Sequence, residues 1–255
     1  MKYVAEPNLP AGNVCLAAVD ARIGAEAENE LKSLGVEIIK IRHHPHLYDA
    51  VHSHPDMLFH HVGGNLIVYA PGADPDAVSE LAARGFQMVM GESRLKPEYP
   101  GDIAYNAARV GKWYFHNLKH TDVRIREYMD SMGIQAVHVA QGYAKCSVLP
   151  VDGNSIVTSD PGIAREARKK GLDVLLLECG DSIRLPGLDH GFIGGACGML
   201  SSSVCAINGS LAALKGYESF LAFLSERNIT AVELSKGRVT DIGSILPLMT
   251  ADHSN

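Results

Sequence analysis

AVHSHPDMLFHHVGGNLIVYAPG, residues 50–72, decides how the rest of the chain is read. Polar residues (His52, His54, Asp56, His60, His61) enter it, Gly63-Gly64-Asn65 interrupts it, and the apolar run Leu66 to Ala70 leaves it. Consecutive Gly and Asn tolerate the positive φ that a tight two-strand turn requires, so the stretch reads as a β-hairpin. The same shape recurs. Gly142 to Asp160 turns at Asp152-Gly153-Asn154, Asp189 to Asn208 turns at Ser201 to Ser203, and Asp102 to Asn117 is a weaker copy with its turn near Gly111.

Between the hairpins lie helical segments that end in a left-handed cap and pass directly into a β-rich run. Ala25 to Leu34 leads through Gly35 into Val36 to Ile41; Asp76 to Arg84, signalled by Asp74-Pro75, leads through Gly85 into Phe86 to Met90. Thr121 to Met132 with Gly133, Asp160-Pro161 to Lys170 with Gly171, and Gly216 to Arg227 with Asn228 repeat the arrangement. Gly or Asn just past a helix is the residue that adopts φ > 0 most cheaply. Five copies of hairpin, helix and strand account for nearly the whole chain.

The last copy has one good strand, within Thr240 to Thr250, and Asn13 to Val19 is a strand without a hairpin of its own. Pairing the two termini closes a ring and removes exposed sheet edges. The expected fold is therefore a single α/β domain over residues 1–255, a five-unit pseudo-symmetric propeller. An open doubly wound sheet is the competing reading; no Gly-x-Gly-x-x-Gly follows the first strand, and such a sheet has no place for the extra hairpins.

At 255 residues, 46% hydrophobic, with a formal charge of −6, the chain carries no clustered basic surface of the kind nucleic acid selects. It has neither a signal-peptide core nor a run of roughly 18 apolar residues, so a cytoplasmic protein that does not enter membranes is expected. Five cysteines without a C-x-x-C pair indicate neither a disulfide framework nor a structural zinc site. No cofactor motif is read, no metal is assigned, and an oligomer stays open.

Five such units in a ring resemble the pentein, or guanidino-group-modifying enzyme, superfamily. Pro55-Asp56-Met57-Leu58-Phe59 is similar to the Pro-Asp-x-x-Phe stretch of its deiminases and hydrolases, which implies a site carboxylate at Asp56. Their second acid falls on Val62. Their His-x-Asp in the fourth hairpin falls near His190, followed here by Gly191 and Phe192, and their C-terminal catalytic Cys falls near Pro247. The chain therefore resembles a divergent branch of the superfamily, without the usual nucleophile.

Cys146 is the candidate replacement. An adjacent ammonium, Lys145, is expected to lower its pKa; the competing reading is a buried, inert side chain. Counted back from their turns, Asp56 and Lys145 are equivalent, so in a ring they should face one axial cavity, where they would either bind a zwitterionic ligand or pair with each other. His52, His54 and Asp56 alternate and on a strand would share a face, a pattern open to metal. Gly194, Gly195 and Gly198, with Asn106, Asp241 and Ser244, complete the expected lining. The functional expectation is a small-molecule hydrolase of a guanidino, amidine or amide C–N bond. It would act through Cys146 or a bound water, with His54 or His190 as general base, Asp56 orienting the substrate's cation and Lys145 anchoring a carboxylate. The rival is a noncatalytic ligand-binding or regulatory protein that keeps the cavity without the chemistry.

Overall fold

Each repeat folds as a three-stranded blade, and the computed structural model describes residues 1–252 of the chain. The hairpin strands pair antiparallel and the strand after the helix pairs parallel to the second of them. The blades are Phe59–Gly63, Leu66–Tyr69 and Gln87–Met90; Ala108–Val110, Trp113–His116 and Gln135–His138; Val148–Asp152, Ser155–Thr158 and Asp173–Leu176; and Cys197–Ser201, Val204–Ile207 and Thr230–Glu233. First strands are almost wholly buried and third strands half-exposed, which places the first strands toward the axis.

The fifth blade joins the two ends of the chain. Leu246–Thr250 pairs antiparallel with Val14–Asp20, which pairs parallel with Glu37–Ile41. Its register slips between Pro247 and Met249, a bulge suited to a residue that has no amide hydrogen to give the ladder. One strand was not anticipated: Lys2–Tyr3 adds to the far edge of Leu246–Thr250 and covers the edge that closure would otherwise leave open.

Local chemistry explains the helices. Pro75–Ala83, Val123–Ser131 and Pro161–Lys169 open on Asp74, Asp122 and Asp160, whose carboxylates accept from Asp76 N at 3.1 Å, Arg124 N at 2.9 Å and Ile163 N at 2.7 Å. The left-handed positions after the five long helices are as read from sequence, with φ of 80° at Gly35, 88° at Gly85, 69° at Gly133, 83° at Gly171 and 55° at Asn228. Each helix lays its apolar residues on its own blade, as Phe220 and Leu224 of Tyr217–Ser225 do beneath Cys205 and Ile207.

One local reading is corrected. His52, His54 and Asp56 do not share a strand face, because Pro55–Leu58 is a single helical turn with His54 as its N-cap residue. Pro pre-sets the helical φ at the first position of that turn. Asp56 consequently points inward from a helix, while His52 stays half-buried outside the blade.

Candidate active site

The one-turn helix recurs as Ala144–Ser147 and Ile193–Ala196, each leading straight into the first strand of its blade. Asp56 and Lys145 occupy the second position of their turns, as their equivalence requires, and Gly194 holds the same place in the fourth blade. The second and fifth blades replace the turn with bends carrying Asn106 and Ser244. The fourth blade needs glycine there: a Cβ on Gly194 would lie 2.3 Å from Val148 O, and one on Gly195 2.0 Å from Asp241 Oδ1.

Four blades thus place polar side chains on the axis. The Cys146 thiol donates to Asp56 Oδ2 at 3.1 Å, and Ser244 Oγ lies 2.7 Å from that same oxygen. Lys145 Nζ donates to Ser244 Oγ at 2.7 Å and to Gly194 O at 3.4 Å. Asn106 ties the blades together: its amide donates to Asp56 O at 3.0 Å and Cys146 Sγ at 3.1 Å, and its carbonyl accepts from the backbone of Lys145 at 2.8 Å. All five residues are buried.

His54 stands beside this cluster between two buried acids. Its Nε2 is 3.8 Å from Asp20 Oδ2 and its Nδ1 3.8 Å from Asp241 Oδ1, and neither ring nitrogen has a hydrogen-bond partner. Asp20 is held from outside by Arg22, whose Nη2 reaches Oδ2 at 2.6 Å. Asp241 accepts from the amides of Phe192 and Gly243, both at 2.9 Å.

Burial dominates the electrostatics. It pushes the Cys146 thiol well above its ordinary pKa, and the Asp56 and Asp241 carboxylates add to the effect. The expectation that Lys145 would lower this pKa is therefore reversed: the ammonium turns to Ser244, and the thiol faces an acid. Burial likewise lowers Lys145, against the pull of Asp56. Asp241 is raised by burial despite His54, whereas at Asp20 the Arg22 bonds outweigh burial and lower the carboxyl.

The axis is filled rather than hollow, contrary to the single cavity expected. Two pockets of about 20 Å³ flank the cluster. Each has room for about one water. The first lies against Asp56 and Lys145 beneath His60, His61 and Arg109. The second lies against Cys146, His54 and Asp241, and its walls are Tyr48, Tyr143, Phe192, Leu185 and Leu188.

The model of a family of unknown function, DUF6873, matches residues 18–246. The chain belongs to the DUF6873 family. No curated protein matches it. Among solved structures, the inosamine-phosphate amidinotransferase StrB1 of Streptomyces griseus is similar over 98% of this chain and 97% of its own, at 12% identity and a TM-score of 0.60. SxtG, an amidinotransferase from Microseira wollei in the saxitoxin biosynthetic pathway, is similar over 91% of both chains at 14% identity and a TM-score of 0.54. A C. jejuni agmatine deiminase is similar over 92% of this chain and 90% of its own, at 11% identity and a TM-score of 0.56. These likenesses establish the fold of this DUF6873 chain as that of the penteins.

Within this DUF6873 structure, the residues singled out from sequence divide clearly. Cys146, His54, Asp56, Lys145, Asn106, Asp241 and Ser244 converge on the axis. His190 does not: it is exposed, and its ring sits 5.6 Å from that of Phe192, which takes the inward place. Asp20 was missed although it stands beside His54. It ends the closing strand one residue past the expected boundary, and an acid at a strand end was the available signal. The aromatic wall of Tyr48 and Tyr143 comes from segments without any motif. Among the described residues, no helix is long and apolar enough to cross a membrane.

Proposed function

We propose that this chain is a thiol-dependent hydrolase of a C–N bond in a small guanidino or amidine compound. The observation that carries the reading is the contact of the Cys146 thiol with Asp56 beside an unpartnered His54 flanked by Asp20 and Asp241, at the end of an aromatic-walled pocket. A nucleophile within bonding distance of a base, next to a titratable group held by acids, is the arrangement covalent catalysis needs. Three buried carboxylates and an aromatic wall favour a planar cation.

In this reading the thiol gives its proton to Asp56 as sulfur adds to the sp² carbon. His54 protonates the departing nitrogen, the C–N bond breaks, and an S-linked isothiouronium (from a guanidine) or thioimidate (from an amidine) remains on Cys146. Water then adds to that carbon, its proton passing to His54, and the C–S bond breaks as Asp56 returns its proton to the sulfur. Bringing in an amidinium offsets the two acids that push the thiol pKa up, so the sulfur becomes nucleophilic only with substrate present. A guanidino compound exceeds a 20 Å³ space, so the rim of Tyr143, Leu185, Leu188 and Phe192 has to open on entry.

That small volume and the raised thiol pKa also favour the second reading, a noncatalytic protein that keeps the pentein frame. Acid quenching after mixing with a panel of guanidino and amidino compounds separates the two. The hydrolase reading predicts a covalent adduct on Cys146 by peptide mass spectrometry, with release of ammonia or amine that Cys146→Ala abolishes. No adduct and no release across the panel would reject it.

A further inference from the structure

His54, Asp56 and Cys146 each bring one nitrogen, oxygen or sulfur atom to within 4.8 Å of the others, and all three are buried. The contact of Cys146 Sγ with Asp56 Oδ2 is 3.1 Å. Two ligands on one tetrahedral zinc, with bonds of about 2.3 Å to sulfur and about 2.0 Å to oxygen, stand about 3.5 Å apart, so this pair already has close to the required spacing. The His54 nitrogen closes in by a shift of about 1 Å.

A second observation points the same way. Both ring nitrogens of His54 and the second oxygen of Asp56 are buried without a partner. Buried polar atoms are almost always satisfied, and an orphaned His54 nitrogen and an orphaned Asp56 oxygen on residues that meet at the Cys146 sulfur mark a place for something that accepts lone pairs. The charges agree: Asp20, Asp56 and Asp241 are all buried, against Lys145 within and Arg22 at the margin. His54 also has a carboxylate 3.8 Å from each ring nitrogen, so whichever nitrogen turns to the metal, the other faces an acid, as in metal-bound histidines.

We propose that His54, Asp56 and Cys146 form a binding site for one zinc-type divalent ion, with a carboxylate of Asp20 or Asp241 orienting the histidine. The mixed imidazole, carboxylate and thiolate set suits zinc or cobalt rather than calcium or magnesium. Three protein ligands leave a fourth position for water, which the adjoining 20 Å³ pocket accommodates. Binding displaces the thiol proton and makes Cys146 a ligand, so metal and covalent labelling of Cys146 exclude one another. The inference does not depend on the hydrolase reading, since metal binding is read without turnover.

The test uses the full chain purified without a His tag and titrated with Co²⁺, because outer histidines such as His43 and His52 offer weak sites free of sulfur. One equivalent is expected to produce a thiolate-to-cobalt charge-transfer band, displaced by Zn²⁺, lost in Cys146→Ser and retained in Cys15→Ser, with far-UV circular dichroism confirming the fold of each variant. Should Cys146→Ser not fold, X-ray absorption on the wild-type zinc protein decides: one sulfur at about 2.3 Å supports the site. Absence of the band, a band unchanged in Cys146→Ser, or a shell of nitrogen and oxygen only overturns it.

Discussion

His60, His61 and His116 lie buried around the axis, where burial lowers their pKa to about 3, about 4 and about 4. His116 is fixed neutral, its Nε2 donating to Gly142 O while Nδ1 faces the Thr121 hydroxyl at 2.7 Å. The folded values lie below the unfolded value of about 6.5, so the unfolded chain binds more protons in acid; their contribution is intact above about pH 6.5 and is lost as pH falls toward 4 and 3. Each adds about 1.4 kcal/mol per pH unit within that window. The free energy of unfolding, followed by urea denaturation from pH 7 to 4.5, should fall steeply below pH 6, and His60→Leu should reduce the slope by about one proton. The Ser244 hydroxyl links the ammonium of Lys145 to Asp56, so Ser244→Ala should cost about 1–3 kcal/mol by urea denaturation. Ser244→Gly should cost less, because φ is 77° at this position. Equal stability of the alanine variant would mean that the bridge does not hold the two charges.

The one-turn helices at the blade entrances are where sequence reading and structure diverged, for a physical reason. Alternation of His52, His54 and Asp56 suggests a strand, but Pro55 begins a helical turn too short for any 3.6-residue periodicity to register. The longer elements were legible because their caps are chemical rather than periodic: Asp74, Asp122 and Asp160 at starts, Gly35, Gly85, Gly133, Gly171 and Asn228 at ends. Asn228 tests the cap argument, since Asn228→Ala should lower stability by about 1 kcal/mol and Asn228→Gly should leave it nearly unchanged. Gly194 tests the packing argument. An alanine there would collide with the backbone carbonyls of Val148 and Lys145, so Gly194→Ala should destabilise by about 1–3 kcal/mol and displace Lys145. Thermal melts of both series give the comparison directly.

Closure of the ring joins residues from both ends of the chain, with Val14–Asp20 pairing Leu246–Thr250 and delivering Asp20 to the His54 that follows it in the next blade. Repeats made the ring readable, and equivalence of Asp56 and Lys145 made half of the site readable. The other half depends on which side chain turns toward which: Lys145 toward Ser244 rather than Cys146, and Phe192 inward in place of His190. Local sequence does not encode such choices, because they are settled by the competition of buried charges for partners. We propose a single cooperative unit, since the fifth blade is built from both ends of the chain and cannot form without bringing them together. Trp113, the only tryptophan, sits in the second blade, and its fluorescence and far-UV circular dichroism should report coincident urea transitions; separated transitions would divide the ring into independent parts. The ring brings the Cys146 thiol of the third blade and the acids Asp56, Asp20 and Asp241 of the first and fifth to one point, which we propose receives a cation. The most direct test is alkylation of Cys146 at pH 7 by a cationic haloamidine against a neutral haloacetamide of similar size, mapped by peptide mass spectrometry. Cys146 should be labelled at least about tenfold faster by the amidine, with the preference abolished in Asp56→Asn, the tenfold corresponding to one pKa unit of thiol activation. Equal slow labelling by both reagents, or a preference that survives Asp56→Asn, would contradict it.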